Sequence, residues 1–531
     1  METEIKQFLE EQNKEINELQ KKSNTLYFDA IVSGKDELYE KYEKSALKIE
    51  GFFHNKENFE KIKKFMKEGI ENLLIKRQLI LLHKSYLGSQ GNIDLLKKIL
   101  EMSTKVEKNF NTYRAEVNGG KLTDNEIKEV LKKEKDSEKL KQVWEASKKQ
   151  GKIVEKEVLE IIKLRNELAK SLGYENYFKM SLELNEQKEE EINNIFLDLE
   201  EKTNKPFEEI KKEMDKVISK KCGIDISKLK PWHYQDLFFQ EGPEIYDIDF
   251  DEFYKEDIIE KAIRFYDSIG FDVRGILEKS DLYEKPRKYQ HACCINIDNN
   301  GDVRTVQSVK NRESWMDTIL HELGHGIYEK NFDSNLPFLL RGNAHIFVTE
   351  AIALLFGRNS KNSNFIKRFC KNIDETKLEK ISELGEKKLR IKEIVFSRWC
   401  QVMYNFEKEL YKNPEQDLNK LWWELVKRYQ RLNFSRDSPD WASKIHLVDA
   451  PVYYHNYLLG ELLASQLQSY IVKNILKQRD VKNPNYNKKE IGGFLKKKLF
   501  KKGKTYRWDE LIQKATGEKL TTKYFTEEFC S

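Results

Sequence analysis

Residues 314–330 read SWMDTILHELGHGIYEK. Two histidines, His321 and His325, stand four apart, and Glu322 follows the first. On an α-helix, residues i and i+4 lie one turn apart on one face, so both rings can aim a nitrogen at a single metal ion. Glu322 falls on the next part of that face. There it does not ligate but can hydrogen-bond a water, the arrangement of zinc hydrolases. The competing reading is an ordinary helix with two surface histidines.

A third ligand separates the two readings. Residues 345–357, HIFVTEAIALLFG, are apolar on nearly every side of a helix, and Glu350 is the one acid among them. A buried carboxylate without a partner costs several kcal/mol, so it needs a cation. Glu350 lies 25 residues after His325, room for one helix to end, turn and return. Two histidines and a glutamate leave a fourth zinc position open, as in catalytic sites, whereas structural sites are closed by four protein ligands. One Zn²⁺ per chain on His321, His325 and Glu350 is the expectation. A salt bridge from Glu350 to a neighbouring helix is the alternative.

The chain as a whole suits an enzyme of this kind. Its 531 residues can bury a large core. Lys+Arg total 95 and Asp+Glu 90, leaving a net charge of +5 with the two signs interleaved, which gives no nucleic-acid signature. Nine prolines and 24 glycines leave long breaker-free segments, which argue for helices. The N-terminal METEIKQFLEEQNKEINELQ lacks the apolar core of a signal peptide, and no apolar run nears the ~20 residues that span a membrane. Six cysteines without C-x-x-C spacing read as reduced thiols. A cytoplasmic protein, monomeric and without nucleic-acid or membrane partners, is expected.

Amphipathic helices are expected through residues 1–110, up to Gly173, and over 187–221, with a capped start near Thr123 or Asp124 and Glu126. Residues 222–250 read as less regular. One β-hairpin is expected at about 290–297 and 302–308, where two runs of β-formers flank Asn-Asn-Gly just before the histidine helix.

Four blocks together resemble the angiotensin-converting-enzyme family of zinc dipeptidyl carboxypeptidases, and more distantly the thimet-oligopeptidase-like group. They are HACCINIDNNGDVRTVQSV, ILHELGHGIY, TEAIALLFG and SKIHLVDAPVYYHNYLLG, spread between residues 291 and 460. The resemblance implies an all-α gluzincin fold, with two helical lobes around a deep cleft and one small hairpin. It implies a single domain over 1–531, with lid helices in 1–120 and a zinc and substrate core in 290–460. Glu322 would be the general base, and Tyr457 and His446 would stabilise the oxyanion. Lys444 and Tyr454, with Gln240 in FFQEGPEIYD, would hold the substrate's terminal carboxylate. His291 and Ala292 would pair with the backbone of an extended peptide.

Departures are visible as well. Leu354 stands where that family has an aspartate that orients a zinc histidine, and Asp317, one turn before His321, is the expected substitute. Asn456 replaces its chloride-binding arginine. The segment from His446 to Tyr457 is one residue longer, leaving Tyr453 or Tyr454 for the clamp. The function expected is a zinc peptidase releasing C-terminal dipeptides from oligopeptides. The alternatives are an oligoendopeptidase and a non-catalytic metal-binding peptide carrier.

Overall fold

The breaker-free segments form helices throughout the structure, a computed structural model that describes residues 2–246, 248–371 and 373–531. The N-terminal stretch folds as helices Glu2–Ser33, Asp36–Phe53, Lys56–Met66, Leu73–Gly88 and Ile93–Thr112. Two long helices follow, Ser137–Ser171 and Glu189–Cys222, and the described residues of 223–250 hold the short 3₁₀ turns Ile226–Lys228 and Pro231–His233. The helix Asp124–Lys133 starts with a capping box, Thr123 and Glu126 each satisfying the other's backbone N–H. Among the described residues, no helix is long and apolar enough to cross a membrane.

Among the described residues two small sheets accompany the helices, one more than expected. The expected hairpin pairs Cys293–Asn296 with Val303–Val306, antiparallel, Cys293 opposite Val306. Its strands are shorter than expected, so His291 and Ala292 lie just before the ladder and not in it. The second hairpin pairs Ala115–Val117 with Gly120–Leu122. Its cause is Asn118-Gly119, with φ of 51° and 81°, the two positive φ values that a tight two-residue hairpin turn requires.

Chain contacts define two compact units. One comprises Met1–Gln90, Ile248–Gly385 and Leu459–Tyr524. It contains the helix Glu313–Lys330, the helix Ile346–Gly357 and the hairpin Cys293–Val306. The other comprises Gly91–Asp247, Glu386–Leu458 and Phe525–Ser531. An aromatic cluster lies in its core: the Trp144 ring stands 5.9 Å from Trp232 and 6.4 Å from Trp423, and Trp423 stands 4.8 Å from Phe434. Such rings bury large apolar areas and fix their neighbours' orientation.

In the first unit, close helix packing sets the site. Glu313–Lys330 buries Met316, Ile319, Leu320, Leu323 and Ile327, and its first N–H is capped from outside, Glu313 N donating to Asp251 Oδ1 at 2.8 Å. Ile346–Gly357 is buried on almost all sides. The two helices meet at Gly324, where a Cβ would come within 2.7 Å of Ala353 Cα. Only glycine permits that approach.

Candidate active site

The helix pair brings His321, His325 and Glu350 together, with ligand atoms all within 4.8 Å of one another. His321 Nε2 lies 3.7 Å from Glu350 Oε1, and His325 Nε2 lies 3.6 Å from Oε2. Those distances are too long for hydrogen bonds. They are close to the roughly 3.3–3.4 Å between two ligands of one tetrahedral ion with ~2.0–2.1 Å bonds. The two imidazoles stand 4.9 Å apart at 80°, so their nitrogens converge without stacking. The three residues fit a zinc ion.

Burial holds the His325 imidazole well below its ordinary pKa, which keeps it neutral and able to ligate. Its Nδ1 is 2.8 Å from Thr349 Oγ1, a contact that fixes the ring and leaves Nε2 toward the cluster. The hydroxyl that orients this histidine was not among the expected residues; its only signal is its place directly before Glu350. Asp317, the expected substitute, pairs with Lys361 at 3.2 Å. It also shares a wall with His321: a Cβ on Gly357 would meet Asp317 Oδ1 at 2.6 Å and His321 Cβ at 3.5 Å.

Glu322, 7% exposed, sits on the same helix. Burial, with Glu350's charge adding to it and His321 opposing, pushes its carboxyl up to about 7. A carboxyl poised there can both take and return a proton near neutral pH. On the neighbouring hairpin, burial pushes the Cys293 thiol up to about 12 and Cys294 well above its ordinary value. Neither is a reactive thiolate at neutral pH. His291 is exposed, its ring 5.3 Å from that of Tyr289, and Ala292 is half-buried.

The second unit carries the remaining expected residues, and it brings Lys444, Gln240 and Tyr454 together. Lys444 Nζ donates to Gln240 Oε1 at 2.6 Å, and the Tyr454 hydroxyl donates to the same oxygen at 3.3 Å. Of the two adjacent tyrosines, Tyr454 is the one on Gln240, while Tyr453 packs edge-on to Tyr457. Lys444 is buried, and its ammonium faces Phe238, Trp399 and Tyr454 at 5.2, 5.3 and 5.2 Å from the ring centroids. Burial pushes it down to about 8, with Asp236 opposing. Aromatic faces partly replace the water that the ammonium loses.

His446 packs on Tyr454, ring centroids 5.1 Å apart, and Tyr457 lies 5.4 Å from Tyr454. Burial, then Lys444's charge, pushes His446 down to about 4, so it is neutral at physiological pH. Asn456, at the position of the chloride-binding arginine, is buried and accepts from Gln187 Nε2 at 2.7 Å. A neutral amide pair occupies that place.

A helical fold with a His-Glu-x-x-His helix and a glutamate presented by the next helix defines a class, the zinc metallopeptidases. Within it, the chain belongs to the carboxypeptidase Taq (M32) metallopeptidase family, whose model matches residues 8–530. It is also similar to Carboxypeptidase 1 of Bacillus subtilis (strain 168), 24% identical over 301 residues that make up 52% of this chain and 57% of that protein. The chain thus spans little more than half the length of that relative. Membership in the carboxypeptidase Taq family corrects the likeness to the angiotensin-converting-enzyme and thimet-oligopeptidase-like groups. A His-Glu-x-x-His helix with a third ligand from another helix recurs among zinc peptidases, so these blocks mark the chemistry more strongly than the family.

Proposed function

We propose that this protein is a zinc carboxypeptidase that shortens oligopeptides from a free C-terminus. His321, His325 and Glu350 hold the metal, which supplies a Lewis acid for the scissile carbonyl. Glu322 takes the proton of the attacking water and returns it to the leaving amine. Tyr457 and His446 donate to the developing oxyanion. Lys444, Gln240 and Tyr454 bind the terminal carboxylate, and His291 and Ala292 present backbone to the extended peptide.

One observation carries the exopeptidase reading. Lys444 is a buried ammonium that hydrogen-bonds a neutral amide oxygen and faces aromatic rings, and Asp236, whose charge acts on it, makes no ion pair with it. A buried cation of this kind calls for an anion, and a peptide's terminal carboxylate is a suitable one. Release of dipeptides was implied by the likeness that the family membership replaces; carboxypeptidase action covers release of one residue or two. The test is digestion of matched free-acid and C-terminally amidated peptides, with products identified by mass spectrometry. Products shortened from the C-terminus only in the acid series support the proposal. Equal cleavage of both series sinks it in favour of an oligoendopeptidase, and no cleavage by zinc-loaded protein favours a peptide carrier.

A further inference from the structure

The turn His446–Asp449 and the helix Tyr454–Tyr470 are joined by residues 450–453. Lys444 and His446 lie before this connection, and Tyr454 and Tyr457 after it. The geometry of the connection therefore sets how these groups face one another.

Two buried side chains hold it, an arginine and a carboxyl. Arg165, from the helix Ser137–Ser171, donates to Leu447 O at 2.9 Å and Val448 O at 2.6 Å. Glu407, from the helix Glu375–Lys412 and 2% exposed, accepts the Val452 N–H on Oε1 at 2.8 Å. Val452 has φ of 54°, a left-handed conformation that is a true outlier for a β-branched residue. Such a residue stays there only where its surroundings hold it. Val452 is 4% exposed, so without Glu407 its N–H would lose its bond in a dry environment. A return to negative φ would swing the chain just before Tyr454.

We infer that Glu407 is a positioning residue: its bond to Val452 N–H holds the left-handed turn that seats the Tyr454 hydroxyl on Gln240 beside Lys444. A carboxyl is a costly way to fill core volume, and the bond to Val452 gives it a purpose. Burial pushes Glu407 up to about 8, against the opposing effects of the Val452 N–H and Arg165, so glutamine is a close stand-in near neutral pH. The inference rests on the proposed carboxylate-binding role of Lys444, Gln240 and Tyr454, and one arm of its test is independent of that role.

Full-length, zinc-loaded Glu407→Gln, Glu407→Leu and Glu407→Leu/Val452→Gly are compared with wild type. One readout is amide hydrogen exchange over residues 447–457. The other is the ratio of kcat/KM for free-acid and amidated peptides. Glu407→Gln keeps both at wild-type values. Glu407→Leu speeds exchange in this segment roughly tenfold or more and lowers the acid-to-amide ratio roughly fivefold. Adding Val452→Gly recovers much of the loss, because glycine adopts positive φ unaided. Glu407→Leu with wild-type exchange and ratio overturns the inference. If Glu407→Leu does not fold, the double variant decides: folding with the ratio recovered supports the role, and failure to fold makes Glu407 a general core residue and overturns it. A wild type without acid preference removes the carboxylate-binding reading, and exchange alone then judges Glu407.

Discussion

Replacing Lys444 by methionine removes one charge and little else. Methionine keeps an unbranched stem of similar length against Phe238, Trp399 and Tyr454, whose rings surround the ammonium at 5.2–5.3 Å. What disappears is the donor now on Gln240 at 2.6 Å. A hydrogen bond to a charged partner contributes about 1.5–3 kcal/mol, and ~1.4 kcal/mol is tenfold in an equilibrium constant. The loss in kcat/KM for free-acid peptides is therefore roughly 10- to 150-fold. Amidated peptides, which carry no terminal charge, should change by less than about threefold on the same scale. Folding should not suffer, since a desolvated ammonium is exchanged for an apolar group.

The pH dependence follows from the same group. Burial has pushed Lys444 down to about 8, so the free enzyme carries the charge below that pH and loses it above. A peptide's terminal carboxyl, with an ordinary pKa of about 3.3–3.7, stays ionised throughout. The acid-to-amide ratio of kcat/KM should be highest near pH 6–7 and fall as pH rises through about 8. In Lys444→Met it should be flat. A wild-type ratio near one at every pH, or a Lys444→Met protein with undiminished acid preference, refutes the assignment.

Other expectations are read more simply. Bound zinc, by elemental analysis, should be one per chain in wild type and far below one in His325→Ala and Glu350→Ala. Glu322→Gln should keep its zinc and lose about 10²–10⁴-fold in kcat; near-normal turnover would remove Glu322 as the base. Thr349→Val takes away the oxygen 2.8 Å from His325 Nδ1 and should weaken zinc binding about 10- to 100-fold in competition with a chelator. Gly324→Ala forces a methyl to within 2.7 Å of Ala353 Cα, which should cost about 1–3 kcal/mol as a lowered midpoint in thermal unfolding, with weaker zinc binding.

The metal cluster is legible because it obeys one local rule and one global one. His321 and His325 obey the helical repeat, and Glu350 is the lone acid in an apolar helix, so each signals itself without a view of the fold. The Asn-Asn-Gly hairpin and the Thr123–Glu126 cap are local in the same sense. Thr349 is different. A threonine next to a glutamate has no signature until the helix returns and sets its hydroxyl against a ring from 24 residues earlier. Val452 is hidden for a related reason: nothing in A-P-V-Y-Y shows that a β-branched residue will be held at positive φ by a glutamate 45 positions before it. Asn118-Gly119 could be read as a turn, but strands of only three residues each leave no alternation to detect. The two units are assembled from interleaved stretches of chain, so no linker marks where one gives way to the other.

The contact at Gly324 bears on which ions the centre accepts. Helices held backbone to backbone cannot easily move apart, so the two imidazoles and the carboxylate form a cup of set span. Such a cup suits a small ion content with four neighbours, nitrogen among them. Calcium asks for six to eight oxygens at about 2.3–2.6 Å and would find too few donors and too little give. Cobalt(II), close to zinc in size and in its taste for imidazole, should enter readily. Stripped protein should therefore regain peptide cleavage with cobalt and remain idle in calcium, while Gly324→Ala, with its helices wedged apart, should lose that discrimination along with its affinity.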